Sequence, residues 1–203
     1  MSSESRRRSS LLVLVTLVIL GALGLSFGGY AYYQREARAI QAYKYRELKV
    51  IGTLKVAEVV AWRNERLKDA RLAAAGSDLR ERVARWTTSP TQGLRKELRQ
   101  ELMLIRDFHE YETVLLADQA GQILGASEGP VNHLEPESRV LVDRAIREGR
   151  VILGEPFRCA ICGEIHLDIV APAMGPQGPP TAVLLLRVNP ETQLFPLLQS
   201  WPV

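Results

Sequence analysis

The sequence predicts an α+β fold in which an N-terminal transmembrane helix runs into a long helix packed on a five-stranded antiparallel sheet, the helices collected on one face. Three observations predict it. Residues 11–33 carry no charge. Residues 34–75 contain no proline and a single glycine, Gly52. From residue 112 onward, short runs rich in Val, Ile and Leu alternate with turn residues, with one proline-started helical stretch among them.

The first element is the membrane span. Leu11 to Tyr33 is 23 residues, which at ~1.5 Å per residue gives about 35 Å, enough for a hydrocarbon core of ~30 Å. Arg6, Arg7 and Arg8 precede it, while Arg35, Glu36 and Arg38 follow, so the positive-inside rule places the N-terminus in the cytoplasm. Tyr30, Tyr32 and Tyr33 mark the outer headgroup layer. A cleaved signal peptide is the competing reading of a basic start followed by an apolar run; the length of the run favours retention. Residues 1–10 are then a cytoplasmic basic tail, 11–33 the transmembrane helix and 34–203 a periplasmic domain on a bacterial-type inner membrane.

Beyond the span, residues 34–75 are rich in Ala, Leu, Glu, Lys and Arg and continue as one helix, with Leu48, Ile51, Val59 and Trp62 as its buried stripe. Gly76 stops it, and Ser77 or Asp78 caps a short helix over Leu79 to Trp86. After Pro90 a third helix runs to His109, its apolar positions Leu94, Leu98, Leu102 and Ile105 recurring at helical spacing. Residues 112–117 and 122–127 form a hairpin around Asp118 and Gly121. Pro136 opens a helix whose apolar side is Val140, Leu141 and Ile146, and Gly149 ends it. Residues 151–153, 165–172 and 182–188 are the remaining strands, the last two joined by a Gly/Pro-rich turn from Gly175 to Pro180. A short closing helix from Glu191 packs Leu194, Phe195 and Leu198.

Charge and motif content narrow the function. The net charge is +3; Arg6 to Arg8 less Glu4 supplies +2, leaving about +1 for the exported part and no footprint for nucleic acid. The chain holds no Gly-rich phosphate loop, no H-E-x-x-H and no nucleophile elbow. Catalysis is not expected, and no catalytic residue is assigned.

Several segments together resemble the extracellular sensor modules called Cache domains. They are Trp62-Arg63-Asn64-Glu65-Arg66, Tyr111 leading into Val114 through Leu124 with Asp118 and Gly121 at the turn, Ile165 through Pro172, and Val183 to Pro190. The similarity covers roughly residues 35–201. It implies a PAS-like sheet behind a long helix, and a periplasmic ligand sensor at the input end of a histidine kinase, diguanylate cyclase or chemoreceptor. Such a sensor serves signal transduction of the two-component kind. Residues 34–203 contain no second span and no output domain, so the expectation is a truncated or split receptor, or a standalone sensor that signals through a cytoplasmic transmitter. Trp62 and Arg66 do not reproduce the spacing of the amino-acid-binding subset, and no amino-acid ligand is assigned. The long helix is also a surface through which two copies would pair.

Two groups of residues are candidates for chemistry. The first is Cys159, Cys162 and His166 in Arg158-Cys159-Ala160-Ile161-Cys162-Gly163-Glu164-Ile165-His166. Three readings remain open. The cysteines form a disulfide closing a tight turn, or with His166 they bind Zn²⁺, the fourth place falling to His109, His133, Glu164 or water. The third is a redox pair, although the motif precedes a strand rather than a helix N-terminus. A membrane-tethered metal or redox protein is therefore the alternative to the sensor. The second group is Tyr111, Arg158, His166 and Asp168, which would line a small-molecule pocket on the sheet; the plain reading of the same residues is an exposed sheet face.

Overall fold

A computed structural model describes residues 3–129, 131, 133–160, 162–174 and 180–200, with the side chains of residues 3–15, 18 and 174 outside the description. The turn residues 175–179, Ile161 and Trp201 to Val203 lie outside the described residues. The chain forms two compact units, residues 1–54 and 55–203.

The described residues of the first unit are helical throughout. Helix α1 runs Ser3–Ala75, its first part forming this unit and its last three-tenths belonging to the second. In the first unit the large apolar side chains lie open: Leu17, Leu20, Leu25 and Phe27 are 62%, 60%, 81% and 75% exposed, and Ile40, Leu48 and Leu54 more than half. Of the stripe expected to be buried, Leu48 is exposed, Ile51 and Val59 are half-buried, and Trp62 packs against the core. Among the described residues no helix is long and apolar enough to cross a membrane.

The second unit follows the predicted order. Helices α2 (Ser77–Thr88) and α3 (Gln92–His109) lead into strands β1 (Thr113–Asp118) and β2 (Ile123–Ala126). Helix α4 (Pro136–Glu148) precedes β3 (Ile152–Leu153), β4 (Phe157–Arg158), β5 (Ile165–Met174) and β6 (Pro180–Val188), and α5 (Pro190–Gln193) and α6 (Phe195–Gln199) close the chain. Local chemistry explains the boundaries. Gly76 N-caps α2 without a side-chain bond, so neither Ser77 nor Asp78 does. The Thr91 hydroxyl accepts from the Leu94 N–H and opens α3. At the β1–β2 turn the Asp118 carboxylate accepts from the Gln122 N–H at 2.8 Å and Gly121 takes φ +78°, a region open to glycine.

The sheet is antiparallel with order β2-β1-β6-β5-β3, and β4 pairs with β5. The five expected strands are present and a sixth, β4, joins them. Two residues carry no period of their own; β4 forms because the chain folds back along Ile165 and His166.

Helices cover both faces, not one. Leu79, Val83, Leu98 and Leu102 from α2 and α3, with Ala70 and Ala74 from α1, pack on Val114, Leu116, Ile169, Leu184 and Leu186. On the other face, Val142 and Ala145 of α4 pack on Leu115, Ala117, Val170, Val183 and Leu185. The run Val183 to Leu186 is fully buried without alternation, the mark of a strand covered on both sides. The buried side of α4 is Ser138, Val142 and Ala145; Val140, expected inside, is 65% exposed. In the closing helices Leu194 packs against the core, whereas Leu198 is half exposed.

Candidate functional site

Strand alternation puts His166, Asp168 and Val170 on the α4 side of β5, and Leu167 and Ile169 on the other. Two polar clusters form there, and a single ring touches both.

The first is built on the loop between β4 and β5. Its backbone closes on itself: the Cys159 N–H donates to the Glu164 carbonyl at 2.9 Å, and the Gly163 N–H to the Cys159 carbonyl at 3.0 Å. Gly163 takes φ +76°, so a side chain there would strain the turn. The Cys162 N–H points at Cys159 Sγ, 3.2 Å away. Cys162 Sγ lies 3.1 Å from His166 Nε2, and His166 Nδ1 lies 3.0 Å from the Glu112 carboxylate. Cys159 Sγ donates to Glu135 Oε1 at 3.5 Å.

The two cysteines are not bonded to each other in this structure; Cys159 and His166 are buried and Cys162 is exposed. The Cys162 thiol is held above its usual range, first by hydrogen bonding with Cys159; a backbone N–H near Glu164 pulls the other way. Arg158 is exposed and donates to the Gly163 carbonyl, bracing the loop. His109 lies 3.7 Å from Asp69, in the α1–α3 layer, and His133 is exposed in the segment before α4.

The second cluster joins β5, β6 and α4. Arg187 donates from Nε and Nη2 to the two oxygens of Asp168 at 2.8 and 3.0 Å, and Ser138 donates to Asp168 Oδ2 at 2.5 Å. Asp168 and Ser138 are 0% exposed, which overturns the exposed-face reading of Asp168. Burial works against the Arg187 charge, but the hydrogen-bonded Asp168 carboxylate outweighs it and keeps the guanidinium firmly ionised. Phe157 of β4 lies over the Arg187 guanidinium at 5.5 Å and edge-on to the His166 ring at 6.0 Å. The strand that pattern reading missed thus links the two clusters.

Tyr111 belongs to the opposite layer, packed with α1 and α3 beneath the Arg66 guanidinium at 5.9 Å. The four residues expected to share a pocket therefore do not converge: His166 and Asp168 share a face, Arg158 braces the loop, and Tyr111 packs behind the sheet. Burial, opposed by Arg66, pushes the Tyr111 hydroxyl up to about 12. An unfolded tyrosine ionises near 10. The folded domain is therefore expected to lose stability as pH rises from about 10 to about 12, by at most roughly 1.4 kcal/mol per pH unit. Denaturant melts across that range check it, since Tyr111→Phe flattens the slope if Tyr111 is its source.

A separate cleft of about 300 Å³ opens beside the end of α1. Arg71, Arg80 and Arg150 line it with Ala74, Ala75, Gly149, Val151 and Pro172. Arg80 Nε is buried and has no hydrogen-bond partner among the described residues. Arg150 pairs with Glu148 at 2.5 Å, and no carboxylate lines the cleft among the described residues. These arginines are scattered over eighty residues, and no sequence pattern marks them.

With this geometry in place, solved structures supply the comparison. The ligand-binding domain of the Pseudomonas aeruginosa PAO1 amino acid chemoreceptor PctC, solved with GABA, matches over 75% of this chain and 66% of its own, at 20% identity and TM-score 0.55. The ligand-binding domain of the Campylobacter jejuni chemoreceptor Tlp3, solved with 4-methylisoleucine, matches over 74% and 60%, at 12% identity and TM-score 0.57. The fold is that of a Cache-type, PAS-like sensor domain. The sensor domain of the V. cholerae histidine kinase DctB shares it, over 77% of this chain and 61% of its own, at 9% identity and TM-score 0.56. The chain thus spans between three-fifths and two-thirds of these Cache-type chains. No protein-family model matches the sequence, and no curated protein matches it.

Proposed function

We propose that this chain is the ligand-binding input module of a bacterial signalling system, held to the inner membrane by residues 11–33 with its folded domain in the periplasm. The anchor is supported by the uncharged run and by the exposed Leu17, Leu20, Leu23, Leu25 and Phe27, whose open apolar surface calls for lipid. Exposed Ile40, Tyr43, Val50 and Leu54 follow at intervals of three, seven and four and suit pairing with a second copy. The output belongs to a cytoplasmic transmitter, protein or domain, which carries the kinase or cyclase step.

The ligand is a small carboxylate-bearing molecule, and the observation that carries this is a cleft lined by three arginines, Arg71, Arg80 and Arg150, with no carboxylate among its described lining residues. Guanidinium groups converging on one cleft favour an anion that accepts charge-assisted hydrogen bonds, a carboxylate above all. The volume, about 300 Å³, lies at the lower end of the range for small-molecule sites. GABA and 4-methylisoleucine, bound by two proteins of the same fold, each carry a carboxylate.

Screening the full-length chain in nanodiscs against amino acids and short mono- and dicarboxylates tests this by melting temperature. A true ligand at roughly a hundred times its Kd stabilises by about 2.7 kcal/mol, a shift of several degrees. Arg80→Ala is expected to abolish the shift while leaving the unliganded melt nearly in place. A shift retained in that variant refutes the cleft. A C-terminal alkaline phosphatase fusion that is made at full length but stays inactive, its disulfides unformed in the reducing cytosol, refutes the topology.

A further inference from the structure

We infer that Cys159, Cys162 and His166 are the ligands of a thiophilic divalent cation, Zn²⁺ by the chemistry of the set. Their ligand atoms all lie within 4.8 Å of one another. Around a tetrahedral Zn²⁺, with Zn–S ≈ 2.3 Å and Zn–N ≈ 2.0–2.1 Å, such atoms lie roughly 3.5–3.8 Å apart. The Cys162–His166 pair, at 3.1 Å, is slightly closer than that spacing, and no pair of the three lies beyond 4.8 Å.

Three features beyond proximity mark this as a built site. The loop is already shaped as a knuckle: the Cys162 N–H aims at Cys159 Sγ at 3.2 Å, a bond that stabilises a metal-bound thiolate. The positive φ of Gly163 turns the chain so that both sulfurs face β5. The imidazole is oriented from behind. With Nδ1–H donating to Glu112 at 3.0 Å, the lone pair stands on Nε2, the nitrogen 3.1 Å from Cys162 Sγ. A carboxylate behind a metal-binding histidine fixes its tautomer and raises its basicity in just this way.

The parts come from separate stretches of chain. Glu112 precedes β1, the cysteines lie after β4 and His166 is on β5. Phe157 packs edge-on against the imidazole, ring centroids 6.0 Å apart. Glu135 Oε1 lies 3.5 Å from Cys159 Sγ, and Glu164 clusters with His166 and Glu112; a carboxylate or water completes the set. This also gives two cysteines in an oxidising compartment a reason to stay thiolates. Binding releases the thiol protons, so affinity falls as pH is lowered.

The test uses the full chain, purified reduced and metal-free in detergent, titrated with Zn²⁺ against a chromophoric chelator and separately with Co²⁺. One ion per chain is expected, with a thiolate-to-cobalt charge-transfer band in the near ultraviolet. Cys162→Ser should lose one thiolate's share of that band. Glu112→Gln, which leaves every ligand in place, should weaken binding by about 10- to 100-fold. His109→Ala, in the other layer, should change nothing. Absence of stoichiometric uptake by the reduced chain overturns the site, as does uptake indifferent to both Cys162→Ser and His166→Ala. If those two variants fail to fold, the Glu112→Gln affinity decides: an unchanged value overturns the assignment.

Discussion

Asp168→Ala is expected to destabilise the folded domain by about 3 to 5 kcal/mol, because it strands the Arg187 guanidinium without its partner. Asp168 is fully buried and the Arg187 side chain only 14% exposed, so water cannot replace the lost carboxylate. Ser138 loses its acceptor in the same step. The cost lies in the uncompensated charge and not in the worth of the pair, which gives a second, opposite expectation. Asp168→Leu combined with Arg187→Met removes both charges and should recover most of the loss. Urea melts of the full chain measure both. A single variant within about 1 kcal/mol of the parent would show the pair to be solvated, outside the range a buried pair allows.

Leu102→Ala is the second large effect, about 2 to 5 kcal/mol. Leu102 is 0% exposed between α3 and the sheet, and its Cδ1 lies where a β-carbon on Gly125 of β2 would begin to crowd it. That close approach leaves little slack for collapse around the missing methyls, so the upper half of the range is expected. Val140→Ala on the outer side of α4 should stay within about 0.5 kcal/mol. Equal effects from the two would contradict the assignment of α4's outer face.

Most of the element order was legible because each boundary had its own local cause: Gly76 after α1, Thr91 before α3, Asp118 and Gly121 at the hairpin, Pro136 and Gly149 around α4. What escaped was tertiary. The placement of α4 on the second face was written in the unbroken apolar run Val183 to Leu186, which calls for cover on both sides. Periodicity within α4 misled at Val140, since the helix buries its small residues, Ser138 and Ala145, to approach the sheet.

The site shows the same division. The cysteine knuckle and His166 were visible from spacing, but Glu112 and Glu135 come from distant segments and bear no mark in sequence. Arg187 did leave a signal. A lone charge within a buried strand demands a partner, and Asp168 inside Ile-His-Leu-Asp-Ile-Val is its counterpart. Tyr111 was misplaced because a residue just outside a strand has no face that alternation can assign.

Calorimetric titration of the full-length chain with the strongest carboxylate found by melting bears most directly on the sensor reading. That reading predicts a saturable isotherm of one molecule per chain, with a negative heat-capacity change from the apolar cleft wall, lost in Arg80→Ala. Flat heats across the whole set of carboxylates, from a chain that still melts cooperatively, would contradict it.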